Sequence, residues 1–210
     1  MSQVEPLIYS EPEIYDAIYG EFDQDIEFYR SIASLATDDR ICELGGGTGR
    51  VAIPLARSGR TVTSVDLSGA MAAAGKRKAE AAGVSVEWIQ HDMATFSRPG
   101  QYGMVYVPLH SFSHLLEREQ ISQTLTAVHT NLVPGGALVL ALHKPDAAYL
   151  GREEDGLYLV GEHTMPDGSP FTVYESTRYD IVDQRLYARW FLEFAKRTQS
   201  TRYELRMFFP

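Results

Sequence analysis

Three acids and three glycines are spaced along this 210-residue chain as a nucleotide-type ligand would require. In R-I-C-E-L-G-G-G-T-G-R-V-A-I-P-L-A, residues 40–56, an apolar run ending in Glu43 and Leu44 breaks into Gly45, Gly46, Gly47 and Gly49. It then resumes as helix-compatible sequence, an order that reads as strand, tight loop and helix. Glycine tolerates positive φ and lets a ligand approach the backbone, and a helix start offers unpaired N–H groups. Asp66 closes the β-branched run T-V-T-S-V-D, and Asp92 follows a third run, residues 84–90. A carboxylate at a strand end can accept hydrogen bonds from both hydroxyls of a ribose.

Glycine spacing alone admits two cofactor classes. Gly47, Gly49 and Ala52 satisfy the dinucleotide pattern formally, with Asp66 at a plausible distance for the ribose. Glu43 and Gly45 are left without a purpose. The full pattern E-x-G-x-G-x-G resembles motif I of class I S-adenosylmethionine-dependent methyltransferases. The resemblance implies an α/β fold, a Rossmann-like sheet with helices on both faces, and S-adenosylmethionine as cofactor. It implies that Glu43, Gly45, Gly47 and Gly49 cradle the cofactor and that Asp66, in the motif II position, holds the ribose. Leu67 and Met71 would lie near the adenine, Asp92 would take its amino group, and Met93 would pack on the ring. A dinucleotide enzyme would not specifically require Asp92.

The acceptor side is written less sharply. Residues 15–29, Y-D-A-I-Y-G-E-F-D-Q-D-I-E-F-Y, resemble the N-terminal cap of a small-molecule group that includes amino-sugar N-methyltransferases. That resemblance implies that Tyr15 and Tyr19 line the site, where an aromatic face attracts a sulfonium through cation–π contact; simple helix docking is the plain alternative. The fourth strand, residues 102–108, leads into L-H-S-F-S-H-L-L, which is similar to the group's motif IV region. Pro108, Leu109 and His110 depart from what is usual there. Ligands of open α/β sheets sit outside the carboxyl ends of the strands, so His110, His114 and His143 are candidates for the pocket. A histidine base could take a proton from an amine or hydroxyl nucleophile; a hydrogen-bonded structural histidine is the commoner case.

These residues need elements to hold them. Ile14, Ile18, Phe22, Ile26, Tyr29 and Ala33 recur at helical spacing, and Ile121, Leu125, Val128 and Leu132 form a stripe expected to pack in the core. Pro134-Gly135-Gly136 turns the chain into a fifth strand, residues 137–142. From Tyr149 the pattern becomes period two: residues 171–180 and 185–194 flank an Asp183-Gln184 turn, and 203–209 alternate again. The expected organisation is a helical cap at 1–39, a cofactor-binding core at 40–148 and an antiparallel β lid at 149–210. The resemblance implies that the lid covers the substrate and pairs with a second subunit, giving a homodimer, and Tyr174, Tyr179 and Tyr187 could reach the pocket. It also implies a further helix and two closing strands beyond residue 210, so either the sequence is a shortened piece or the sheet is expected to be completed differently, by its own terminal strands or a partner's.

Composition narrows the functions. The net charge is −9, and the first 39 residues hold ten acids against Arg30 alone, with the remainder balanced. Such a segment disfavours nucleic-acid binding, which needs a basic surface; it reads as a solvated helix face or as an acidic rim that favours cations. Cys42 is the single cysteine, so an internal disulfide and a cysteine zinc site are excluded, and no metal-ligand cluster is visible. No basic leader or bilayer-length apolar run occurs, and a cytoplasmic protein is expected. The expected reaction is in-line displacement at the sulfonium methyl by an amine or hydroxyl of a small metabolite, where positioning alone can supply up to about 7–11 kcal/mol. The alternatives are intramolecular cyclisation releasing methylthioadenosine, a non-catalytic cofactor-binding protein, and an NAD-dependent oxidoreductase.

Overall fold

Apolar and β-branched runs of five to nine residues are too short for core helices and long enough for strands. In the computed structural model, which describes residues 6–143, 147–154 and 156–208, they are the strands of a parallel sheet. These are β1 (Arg40–Leu44), β2 (Thr61–Asp66), β3 (Val86–Gln90), β4 (Tyr102–Val107) and β5 (Leu132–Leu140), in the order β3-β2-β1-β4-β5. The chain builds outward from β1 through β2 to β3, then returns to place β4 on the other side of β1. That reversal is the switch point at which open α/β sheets receive ligands. All of β4 is buried, so both of its faces are covered.

The sheet belongs to a compact unit formed by residues 22–112 and 117–141, with helices α3 (Ile26–Ser34), α4 (Ala52–Arg57), α5 (Gly69–Ala81) and α6 (Arg118–Asn131). Ile26, Tyr29 and Ala33 of α3 and Val51, Ala52 and Leu55 around α4 close over Ile41, Val62, Met104 and Tyr106. Ser68 caps α5 by accepting the Met71 amide, and Gly83 follows the helix at φ +68°. The stripe on α6 is shifted from expectation: Leu125 is 41% exposed, whereas Thr124, Val128 and Asn131 are buried. Asn131 sets this face, donating to the Phe96 carbonyl and accepting the Arg98 amide. The Pro134-Gly135-Gly136 turn lies within β5, where Gly135 (φ +81°) accompanies a register break against β4.

A second unit comprises the described residues up to Glu21, Ser113–Leu116 and those from Leu142 onward. Its sheet is antiparallel, β6 (Tyr158–Thr164), β7 (Pro170–Asp180), β8 (Arg185–Phe194) and β9 (Arg197–Arg206) in sequence order, accompanied by α1 (Leu7–Ser10), α2 (Pro12–Tyr19) and α7 (Ala147–Leu150). Ile8 and Ile14 pack with Phe171, Val173, Trp190 and Leu192 of the sheet's inward face. β6 escapes period-two reading because Gly161 sits at a register shift against β7. β9 begins at Arg197 rather than Tyr203 because its first half, R-T-Q-S-T, is polar, although Thr201 is buried opposite Trp190. Phe209, the expected end of that strand, lies outside the described residues.

Candidate functional site

After β1 the backbone enters left-handed conformations at Gly45 (φ +73°), Gly47 (φ +55°) and Gly49 (φ +86°), a region costly for other residues. The Gly45 and Gly46 amides donate to the Val65 carbonyl at 2.8 and 3.1 Å, fastening the loop to the end of β2. Space as well as conformation demands glycine here. A Cβ on Gly45 would stand 2.5 Å from that of Ser111, and one on Gly49 would stand 2.8 Å from the Trp88 ring.

Asp66 ends β2 with its carboxylate aimed by two backbone donors: Gly47 N–H at 2.7 Å to Oδ2 and Ser68 N–H at 2.8 Å to Oδ1. The His91 amide donates to the Asp66 carbonyl at 2.9 Å, which carries Asp92 past the same end of the sheet. Asp92 is exposed, with Oδ1 accepting the Ala94 amide at 2.8 Å. Half-buried Met93 extends its Cε to the Gly45 side of the loop. Leu67, 70% exposed, adds an apolar surface beside Asp66. Met71 instead is enclosed at 1% exposure, on the inner side of α5.

Glu43 is also enclosed at 1% exposure, beneath the loop, where a Cβ on Gly46 would meet both Ser64 and Glu43 Oε2. Burial pushes its carboxyl up to about 8, against the opposing pull of Arg50 and of the Ser64 hydroxyl, which donates to Oε2 at 3.3 Å. Arg50 spends its guanidinium on a bidentate pair with Asp25 (2.5 and 2.8 Å) and on the Phe22 carbonyl, stacked over the Phe22 ring. One acid of the negatively charged N-terminal segment thus braces the loop.

Of the histidines, His110 follows Leu109 at the end of β4, and both have positive φ (+64° and +47°). Such backbone in non-glycine residues collects at functional sites. The 3-10 turn Ser111–His114 carries the chain into the second unit. There His114 Nε2 stands 2.8 Å from the Tyr9 hydroxyl, and burial pulls the imidazole down to about 4, so it is neutral at pH 7. Tyr15 packs between Tyr9 and Tyr19, with ring centroids 6.5 and 5.1 Å away. The structure therefore groups the glycines, Asp66, Asp92 and His110 in one unit, and Tyr15, Tyr19 and His114 in the other. His143 packs against Tyr149. Tyr187 lies under Arg178 on the face of the sheet opposite Ala188 and Trp190, and Tyr174 shares that face by register.

Sequence reasoning passed over Ser111, Trp88 and Tyr9, which define the space against Gly45, Gly49 and His114. It also passed over Glu175, to which Trp190, Tyr203, Tyr149 and Arg152 all donate. No periodicity marks a buried acid in a strand. The one available signal is that Glu175 interrupts the inward series Phe171, Val173, Thr177. Among the described residues there is no cluster of three metal-ligating side chains, and no helix is long and apolar enough to cross a membrane.

Residues 41–136 match the family described as Methyltransferase domain. A protein of Geobacillus sp. (strain WCH70), provisionally named a methyltransferase, is 32% identical over 128 residues, covering 57% of this chain and 52% of that protein. This chain thus spans about half the length of that curated relative. The CcbJ methyltransferase from Streptomyces caelestis aligns with TM-score 0.77 at 24% identity, over 93% of this chain and 80% of the other. The amino pentose methyltransferase CalS10 from Micromonospora echinaspora, solved with S-adenosylmethionine, aligns with TM-score 0.72 at 20% identity, over 93% and 82%. At these identities the structures establish the fold: a Rossmann-like parallel sheet followed by a separate antiparallel sheet.

Proposed function

We propose that the chain, whose residues 41–136 match the family described as Methyltransferase domain, binds S-adenosylmethionine and directs its methyl group to an amine or hydroxyl of a small metabolite. One observation carries this reading: in a single unit, Asp66 and Asp92 follow adjacent strands β2 and β3, beside a loop with three left-handed glycines. Asp66 is the group to hold the ribose hydroxyls, its orientation fixed by the Gly47 and Ser68 amides. Leu67 and Met93 offer apolar surface for the adenine, and exposed Asp92 an acceptor for its amino group. Glu43 acts from beneath by supporting the loop, and enclosed Met71 acts by packing.

When bound, S-adenosylmethionine supplies a sulfonium-activated methyl, so the chain's own work is to hold the acceptor in line and exclude water. On the acceptor side we assign His110 in the unit of the glycine loop and, separately, Tyr15, Tyr19 and His114 in the other unit. His114, held neutral by burial, is a weak proton acceptor, so its assigned part is to position the acceptor by hydrogen bonding rather than to take its proton. That CalS10 is an amino pentose methyltransferase supports a small amine as acceptor. Exposed Leu157, Leu159 and Val160, on and beside edge strand β6, support the homodimer, which sedimentation velocity would test.

The decisive experiment incubates the protein with S-adenosylmethionine alone and then with a panel of small amines and alcohols, with products identified by mass spectrometry. Adenosylhomocysteine formed only with an acceptor is the expected outcome. Methylthioadenosine formed without one would replace methyl transfer by intramolecular chemistry. Binding of a nicotinamide dinucleotide in place of S-adenosylmethionine would sink the cofactor assignment.

A further inference from the structure

Alternation puts Arg189, Phe191 and Glu193 of β8 on the outward face of the antiparallel sheet, opposite the buried Trp190 and Leu192. Register extends each of them into a row across the neighbouring strands. Arg202 of β9 stands directly beside Arg189, Tyr174 of β7 beside Phe191, and Thr172 and Thr198 flank Glu193. Strand β6 adds Leu159 to the middle row and Glu162 to the acidic one. The face is therefore banded along its strands as basic, apolar and acidic, with about 7 Å from each band to the next.

Charges placed for the chain's own use would be arranged otherwise. Opposite charges side by side on neighbouring strands stabilise a sheet, and like charges there destabilise it. At the start of β8 the first rule holds, with Arg185 paired to Glu204 at 3.1 Å. Arg189 and Arg202 instead face each other, and Glu193 faces threonines. Among the described residues, neither these arginines nor Glu162 and Glu193 have an ion-pair partner, and all four are exposed. The Arg189 guanidinium lies 4.6 Å from the Phe191 ring centroid and 3.4 Å from the Ser200 hydroxyl, which holds its charge at the border of the apolar band. Phe191 and Tyr174 are half-buried, and Leu159 is 59% exposed.

We propose that this face docks onto the same face of a second copy of the chain, about a two-fold axis that runs along the apolar band. Such an axis lays the apolar band on itself and reverses the order of the other two, so Arg189 of each copy meets the partner's Glu193. An axis along the strands would set Arg189 on the partner's Arg189 instead. Sheets packed face to face stand about 10 Å apart, a gap that an arginine and a glutamate span together. Because the contact is isologous, the pair forms twice, and each glutamate also relieves the crowding of Arg189 and Arg202. The proposal rests on the homodimer inferred above and assigns the surfaces that meet; neither depends on the cofactor.

Sedimentation velocity of the full chain over a range of concentrations measures the dimer constant, with circular dichroism confirming that each variant is folded. Arg189→Glu and, separately, Glu193→Arg set like charges against each other at both contacts, and each should weaken dimerisation about tenfold or more. Symmetry then supplies two rescues. The double variant Arg189→Glu, Glu193→Arg restores both pairs in the reverse sense and should dimerise within about threefold of the wild type. An equimolar mixture of the two single variants should form a heterodimer, since one copy then offers acids at both positions and the other bases. Single variants that dimerise like the wild type, or weakened ones that neither rescue restores, would overturn the proposal and leave a homodimer held by other contacts, such as the β6 edge. A wild-type chain that is monomeric at every concentration would end both readings.

Discussion

Each unit buries a glutamate, and the two are treated in opposite ways. Glu43, under the glycine loop, receives a serine hydroxyl and the Ala52 amide, while the nearest guanidinium is committed to Asp25. Glu175, on the inward face of β7, receives four donors, one of them an arginine. The first is therefore a mostly protonated brace that shapes backbone, and the second is an acceptor that ties together the polar edges of the side chains around it. Burial alone does not tell a structural acid from an electrostatic one; the donors supplied to it do.

Replacing each acid should expose this difference. Glu175→Leu strands Arg152 and three neutral donors and should cost about 3–5 kcal/mol in urea denaturation. Glu43→Gln, which replaces a mostly protonated carboxyl by an amide of equal shape, should cost under about 1 kcal/mol at pH 7. The reverse ranking would break the comparison. Next in size is Gly49→Ala, which combines a φ of +86° with a Cβ against Trp88. It should destabilise by about 1–3 kcal/mol in the same assay. Asp66→Ala should weaken S-adenosylmethionine about tenfold by calorimetry, about 1.4 kcal/mol, with the fold retained.

The subtlest test is pH. Glu43 rises from an ordinary value of 4.5 to about 8 in the fold, so its contribution to stability is fully present below 4.5 and lost as pH climbs toward 8. His114 falls from 6.5 to about 4, so its contribution is present above 6.5 and lost as pH drops toward 4. Denaturation midpoints across this range should flatten at the alkaline side in Glu43→Gln and at the acid side in His114→Gln. Unchanged profiles would remove the assigned burial of either group.

The cofactor side was legible because it is built from backbone. Left-handed turns demand glycine, strand ends place the acids, and both requirements leave residue types at fixed spacing, as at Gly45, Gly47, Gly49 and Asp66. Local sequence could not show that Ser111, far along the chain, is what forbids a side chain at Gly45, nor that Glu43 faces inward. The ring cluster around Glu175 was legible only in part. Tyr15 and Tyr19 share a helix and a pattern, whereas Trp190, Tyr203 and Glu175 meet through strand pairing, and register is a property of the sheet rather than of any one strand. The stripe on α6 failed for a related reason: hydrophobicity pointed to Leu125, and a hydrogen-bonding asparagine at 131 decided the face.

The packing of Trp88 against Gly49 and Gly75 has a practical consequence. The chain contains two tryptophans, and each lies in a different unit, Trp88 on β3 and Trp190 on β8. Each unit therefore carries its own intrinsic fluorophore. With the other replaced by phenylalanine, stopped-flow emission would time the folding of the two units separately, with no dye attached.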